Sequence, residues 1–327
     1  MPLNPRCWQL LTLLADGHFH SGTNLARTLN VSRATISNDL QIAVQLGIAL
    51  QRIRGRGYRL SQAWRPLNAP QINTALGDTA SRLSLDIQLQ NASSNLALRQ
   101  QASLGAPSGS VLAVELQTAG RGRVGRTWHS GLGNALTFSI LWRFEGGFSR
   151  LAGLSLAVGI GVLRGLRASG IEGVQLKWPN DLLSPNGGKL GGILIEARGE
   201  ISGACAVVIG IGLNCTLPHS LAQQIDQPAA ALDQLTRHFV DRNLLLAQIL
   251  PQLVAVLDEF SLAGFAPFHA EWEQHHAQQN QPVQLKMPDG SRCHGIARGV
   301  NTQGELRLHT PQGEQLHHSG EIAVSQP

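Results

Sequence analysis

The sequence predicts an α+β protein of several domains, and three observations carry that prediction. At 327 residues the chain is longer than one compact core usually holds. Its patterning changes twice along its length. Helical periodicity gives way to a mixture of strands and helices, and then to short alternating strands punctuated by glycine turns. Its net charge of +5 is also uneven, because residues 1–62 hold seven Arg and no Lys against Asp16 and Asp39, and the remainder balances. The chain therefore divides into a winged helix-turn-helix at 1–62, a mixed-sheet α/β domain at 63–274 and a small β-barrel at 275–327.

In the first part, Pro5–Ala15 reads as a helix with Trp8, Leu11 and Leu14 inward, stopped by Asp16-Gly17. Ser21 caps a short second helix carrying Leu25, Ala26 and Leu29, which ends at Asn30. Ser32 caps a third, with Ile36, Leu40 and Val44 on the inner face and Gly47 as its stop. Its other face offers Arg33, Thr35, Ser37, Asn38 and Gln41, groups suited to base edges and phosphates. A strand near Leu50–Ile53, a turn tipped by Arg54 and Arg56, and Tyr58-Arg59-Leu60 complete a basic wing. Three-helix units also mediate protein contacts, but the concentrated charge favours DNA. Ser61–Pro70 has two prolines and no periodicity and reads as a linker.

In the middle part, Ser84–Gln90, Val111–Leu116, Ala135–Trp142, Ile193–Ala197 and Ala204–Ile211 read as strands, and Ser93–Ser103, Leu151–Ala168 and Asp241–Ser261 as helices. The order gives no regular βαβ repeat, so a mixed sheet is expected. The tail alternates from Pro282 to Val324 around turns at Pro288-Asp289-Gly290, Asn301–Gly304 and Pro311-Gln312-Gly313.

Two segments of the middle part carry chemistry. Gly120-Arg121-Gly122-Arg123-Val124-Gly125-Arg126 combines flexible backbone with guanidinium forks that fit carboxylate and phosphate oxygens. The second segment runs from Lys177-Trp178-Pro179-Asn180-Asp181 to Lys189-Leu190-Gly191-Gly192. It holds two of the three lysines in a chain with 23 arginines. An ammonium is a compact point charge that follows a phosphoryl or carboxyl oxygen. Together they read as a site for an acidic small molecule and a nucleotide phosphate. Gly120, Gly122 and Gly125 match a dinucleotide fingerprint, but a strand follows where that fingerprint needs a helix. A single Gly/Arg copy between apolar strands is no low-complexity RNA-binding tract.

Composition excludes other classes. No signal core and no run approaching a membrane span occur, which points to a cytoplasmic protein without membrane contact. Cys7, Cys205, Cys215 and Cys293 lack metal or disulfide spacing and read as buried free thiols. His275-His276 and His317-His318 read as solvated side chains, not metal ligands.

The two segments resemble the active site of bifunctional biotin–protein ligases that double as repressors of biotin synthesis. Asn91–Asn95, Gln117 and Val208–Asn214 extend the resemblance over essentially the whole chain. It implies a biotin–[acetyl-CoA-carboxylase] ligase using ATP, Mg²⁺ and biotin: biotin and ATP form biotinyl-5′-AMP, and a lysine of the biotin carboxyl carrier protein then takes the biotinyl group. It implies catalytic roles for Lys189, Arg121 and Arg123. Biotin would meet Ser93, Ser94, Asn95, Gln117, Gly120, Arg121, Lys189, Gly192 and Gly210. The adenylate would meet Arg121, Gly122, Arg123, Trp178, Asn180, Asp181, Lys189 and Asn214, with Mg²⁺ arriving on ATP near Asp181 and no metal cage built from protein alone. The resemblance further implies an SH3-like form for the tail, a homodimer when adenylate is bound, and an inverted-repeat operator contacted by Arg33, Thr35, Ser37, Asn38, Gln41, Arg54 and Arg56. Departures are Ser94 for a usual threonine, Asn91 for a usual acid, Val124 for a frequent arginine, a long 184–188 segment, and no aromatic residue between Leu213 and His238. A biotin-sensing transcription factor without turnover and a lipoate–protein ligase are the alternatives.

Overall fold

A computed structural model describes residues 3–199 and 203–324. Three capped helices open the chain: α1 (Pro5–Leu13), α2 (Gly22–Thr28) and α3 (Arg33–Gln45). The side chains of Asn4, Ser21 and Ser32 accept hydrogen bonds from the first-turn amides of Cys7, Asn24 and Thr35. Asn30 takes the left-handed conformation (φ 52°) that ends α2. The hairpin β1 (Leu50–Ile53) and β2 (Gly57–Leu60) forms the wing. Val44 does not face inward as the periodicity predicts but is exposed; the inner stripe of α3 is Ile36, Leu40 and Ala43, a 4-then-3 spacing.

The stretch 61–70, expected to be a linker, is packed. Trp64 is buried against Trp8 with ring centroids 6.1 Å apart, Leu67 is buried, and Pro70 sits in the first turn of α4 (Ala69–Leu76), where its missing N–H costs nothing.

The central sheet then takes β3 (Ser84–Asn91), helix α5 (Ser94–Ser103), β4 (Ser110–Gln117), β5 (Ala135–Phe144), helix α6 (Leu154–Ala168), β6 (Gln175–Lys177), β7 (Asp181–Leu183), β8 (Lys189–Gly199) and β9 (Cys205–Asn214). The seven strands lie in the order β3-β4-β5-β9-β8-β7-β6; β3 and β4 are parallel and all other neighbours antiparallel, so the sheet is mixed. Alternation along the strands serves two cores. Leu112, Val114, Leu141 and Val208 pack under Leu98 of α5, and Val111, Ala113, Phe138 and Ile140 belong to the larger core on the other face.

The short helix α7 (His219–Ala222) precedes α8 (Arg242–Ala263) and α9 (His269–Gln274). Helix α8 has 22 residues and an 18-residue window of mean hydropathy 1.4, long and apolar enough to cross a bilayer, a run the sequence reading overlooked. Its Leu245, Ile249, Leu253, Leu257 and Phe260 are buried in the large core instead. His276, expected to be solvated, is also buried. It lies 4.7 Å from the Trp272 ring, and desolvation pushes its pKa down to about 4.

Five antiparallel strands close the chain: β10 (Pro282–Lys286), β11 (Arg292–Val300), β12 (Leu306–Thr310), β13 (Gly313–His317) and β14 (Glu321–Val324), in the order β13-β12-β11-β10-β14. Val283, Leu285, Val300 and Leu308 join the same core as the central domain, which compensates for the little core that so short a unit builds alone.

Candidate active site

A cavity of about 280 Å³ opens over β8 and β9 between the Gly/Arg loop, the N-terminus of α5, the β6–β7 hairpin and the first residues of β14. Each wall follows from local sequence. At one end Ser93, Ser94 and Asn95 are buried at the start of α5, and Gln117 at the end of β4 accepts from the Ser94 amide at 2.7 Å. Ser139 donates to Asn95 Oδ1 at 2.5 Å, and Asn95 Nδ2 reaches the Leu194 carbonyl at 3.2 Å. Gly210 is a steric requirement here, since a Cβ would collide with the Asn95 amide. This end is neutral and rich in hydrogen-bonding groups.

The other end is cationic. Lys177 and Asp181 face each other in the β6–β7 hairpin, whose turn is Trp178-Pro179-Asn180 with a cis Trp178–Pro179 bond. Turn and ligand wall are thus the same element. Trp178 is buried, and its indole donates to the Gly304 carbonyl of the C-terminal unit at 3.1 Å. Lys189 Nζ lies 2.7 Å from Asp181 Oδ1 without the alignment of a hydrogen bond, so the ammonium keeps donor capacity for an incoming anion. Its backbone is strapped on both sides, with N–H donating to Pro228 O and C=O accepting from Ala230 N, each at 2.9 Å. Burial lowers the pKa values of Lys177 and Arg123, so both cations lack the solvation that an arriving anion would replace.

The Gly/Arg loop is a tight hairpin. Gly122 N–H donates to Arg126 O at 2.7 Å and Trp128 N–H to Gly120 O at 2.9 Å. Those two amides are spent within the loop. Arg123 donates to Asn180 Oδ1 at 3.1 Å, and Arg121 to Glu196 Oε1 at 3.2 Å. Val124 turns the hairpin at φ 53°, an unusual conformation for a β-branched residue, and is 82% exposed.

Of the residues expected from sequence, Ser93, Ser94, Asn95, Gln117, Arg121, Gly122, Arg123, Trp178, Asn180, Asp181, Lys189, Gly192 and Gly210 line this one cavity. Two do not. Gly120 stands behind the wall, packed on Trp128. Asn214 is buried beside the lining: its Nδ2 donates to the carbonyls of Lys189 and Ala230, at 3.2 and 3.1 Å, so it supports the base of Lys189 from below. Trp128, Gln227, Glu321 and Ile322 also line the cavity, and sequence reading missed them. Arg126 pairs with Glu321, which ties the Gly/Arg loop to the C-terminal unit. Among the described residues, no group of three or more His, Cys, Asp or Glu side chains forms a metal site.

On the first domain, Arg33, Asn38, Gln41, Arg54 and Arg56 are exposed, and Thr35 and Ser37 are half-buried. The wing arginine Arg56 stacks on Phe19 at 4.4 Å, with Arg59 on the same ring at 4.7 Å.

Comparison with known proteins gives a consistent picture. A biotin/lipoate A/B protein ligase family model matches residues 87–214, an HTH domain model residues 8–59, and a biotin protein ligase C-terminal domain model residues 280–325. The bifunctional ligase/repressor BirA of Escherichia coli K12 is 36% identical over 300 residues, covering 92% of this chain and 91% of that one. The biotin--[acetyl-CoA-carboxylase] ligase of Paracoccus denitrificans is 34% identical over 216 residues, 65% of this chain and 88% of its own. The solved structure of the Aquifex aeolicus biotin protein ligase in complex with biotin and ATP aligns with a TM-score of 0.62 at 25% identity, covering 75% of this chain and 99% of that one.

Proposed function

The chain belongs to the bifunctional biotin ligase/repressor family, and on that premise we propose that its cavity joins biotin to ATP and that its winged domain couples the product to DNA. One observation carries the proposal: the cavity has a neutral hydrogen-bonding end at Ser93, Ser94, Asn95 and Gln117 and a cationic end at Arg123, Lys177 and Lys189. Biotin has the same polarity, a neutral ureido ring and an anionic carboxylate. Its carboxylate oxygen attacks the α-phosphorus, the bond to the β-phosphate breaks, and pyrophosphate leaves. Lys189 serves the oxygens shared by carboxylate and phosphoryl group, while Arg121 and Arg123 hold the remaining phosphate charge. In the second half-reaction a carrier-protein lysine, as the free amine, attacks the acyl carbon and AMP departs.

Magnesium would arrive bound to the nucleotide. Asp181 is the carboxylate that would hold it, since it faces the cavity and its Oδ1, paired only with the Lys189 ammonium, accepts no hydrogen bond. The bound ion supplies charge neutralisation on the phosphates. The functional division falls at 1–62, 63–274 and 275–327. Arg33, Thr35, Ser37, Asn38, Gln41, Arg54 and Arg56 form the DNA face, and adenylate-driven dimerisation presents two such faces to an inverted repeat, where the second contact becomes intramolecular.

The deciding assay measures biotin- and ATP-dependent pyrophosphate release and labelling of a carrier-domain lysine, with lipoate as the control acid. Release and labelling with biotin alone are expected. Adenylate binding without turnover would leave only a biotin sensor, and preference for lipoate would replace the substrate. Sedimentation and operator titration with and without biotinyl-5′-AMP test the repressor half, which fails if neither mass nor affinity changes.

A further inference from the structure

Glu196 stands outside the cavity, on β8 beyond Leu194, yet its carboxylate gathers groups that serve it. Oε2 accepts from Asn95 Nδ2 at 3.0 Å. Oε1 accepts from Arg99 at 2.6 Å and from Arg121 at 3.2 Å. The two arginines differ. Arg99 belongs to α5 and makes the shorter contact from a rigid element, whereas Arg121 sits on the Gly/Arg hairpin with 47% of its side chain exposed. Glu196 itself is only 15% exposed, so losing every cation would leave a poorly solvated charge. With Arg99 in place that does not happen.

We propose that Glu196 is a positioning residue: it parks the Gly/Arg loop through Arg121 in the ligand-free protein and yields that guanidinium to the acyl phosphate, while Arg99 keeps the carboxylate neutralised. Arg121 is therefore contested by two anions, one fixed and one arriving. The inference rests on the reading above that Arg121 meets the ligand phosphate.

The test compares the full chain with Glu196→Gln, Arg121→Gln and the double variant. Hydrogen exchange of residues 120–127 is followed without ligand, and dissociation of biotinyl-5′-AMP with it. Glutamine keeps the size of Glu196 and an acceptor for Asn95 but removes the charge. Glu196→Gln should raise ligand-free exchange of the loop and slow adenylate dissociation about two- to fivefold, the range of a partly exposed pair. In the Arg121→Gln background it should change neither. Arg99→Met should act oppositely, lowering loop exchange and speeding dissociation, because Glu196 then has Arg121 alone. Equal effects of Glu196→Gln in both backgrounds would overturn the proposal and reduce Glu196 to a support for Asn95. If the parent protein did not retain biotinyl-5′-AMP at all, the functional reading would fail instead, and loop exchange in the free protein would still judge the parking contact.

Discussion

Glu115 and Arg242 meet at 2.7 Å, and so do Asp181 and Lys189, but the first pair is 0% and 4% exposed and the second 16% and 17%. Around the first, both carboxylate oxygens and both terminal guanidinium nitrogens find partners. Glu115 accepts from the Trp64 indole at 3.2 Å and from the Leu67 amide, and Arg242 donates to the carbonyls of Ala135 and Arg65 at 3.2 and 2.8 Å. Around the second, the contact is misaligned and faces a cavity. Distance alone therefore does not say what an ion pair is for. Completeness of the surrounding hydrogen bonds does: a saturated pair fixes structure, and an unsaturated one in a cavity is available to a ligand.

Arg242→Ala should separate the two roles most sharply. It strands the Glu115 carboxylate in the core and should cost about 3–5 kcal/mol, read as a lowered urea midpoint, with adenylation per folded molecule little changed. Lys189→Ala should do the reverse, lowering pyrophosphate release about 10²–10³-fold with a far smaller change in the unfolding midpoint than Arg242→Ala. Near-normal turnover would remove Lys189 from the chemistry.

His276 extends the comparison to a buried group with no counter-charge. Folded, it stays neutral down to about pH 4 because of desolvation, whereas the unfolded chain takes up the proton near its ordinary 6.5. The unfolded state thus binds more protons between these values. Stability should fall as pH drops from about 6.5 to about 4, by about 3 kcal/mol in all, and level off below. Unfolding of His276→Gln across that window should lack this slope; an unchanged slope would assign it to other groups. The smallest effect should come from Asp181→Asn, which breaks a partly exposed pair and should shift stability by less than about 1 kcal/mol. A loss as large as that of Arg242→Ala would erase the distinction between the pairs.

The legible parts of this fold were those with a local cause. Ser21, Ser32 and Asp241 mark helix starts because a cap bonds its own first turn. The Gly/Arg and lysine segments were visible because lysine is so scarce in this chain. What escaped depends on distant partners. Trp64 and Leu67 read as linker because their partners lie at Trp8 and Glu115, and Glu321 reaches the cavity from about two hundred residues beyond Arg126. The three-residue strands β6 and β7 are too short to show a period.

The saturated pair also bears on how portable the parts of this protein are. Residues 64–68 touch Glu115, Arg242 and Asn243 through an indole, an amide and the carbonyls of Arg65 and Pro66. The seam between the DNA-reading half and the synthetic half is thus mortared into the synthetic half. A gene fusion or deletion that trades away the first domain by cutting ahead of Trp64 keeps these bonds but must replace the cover that Trp8 and the Ala15 carbonyl give Trp64. A cut after Asn68 must also redesign Glu115 and Arg242 together, because neither has enough partners without the strand of chain laid across them.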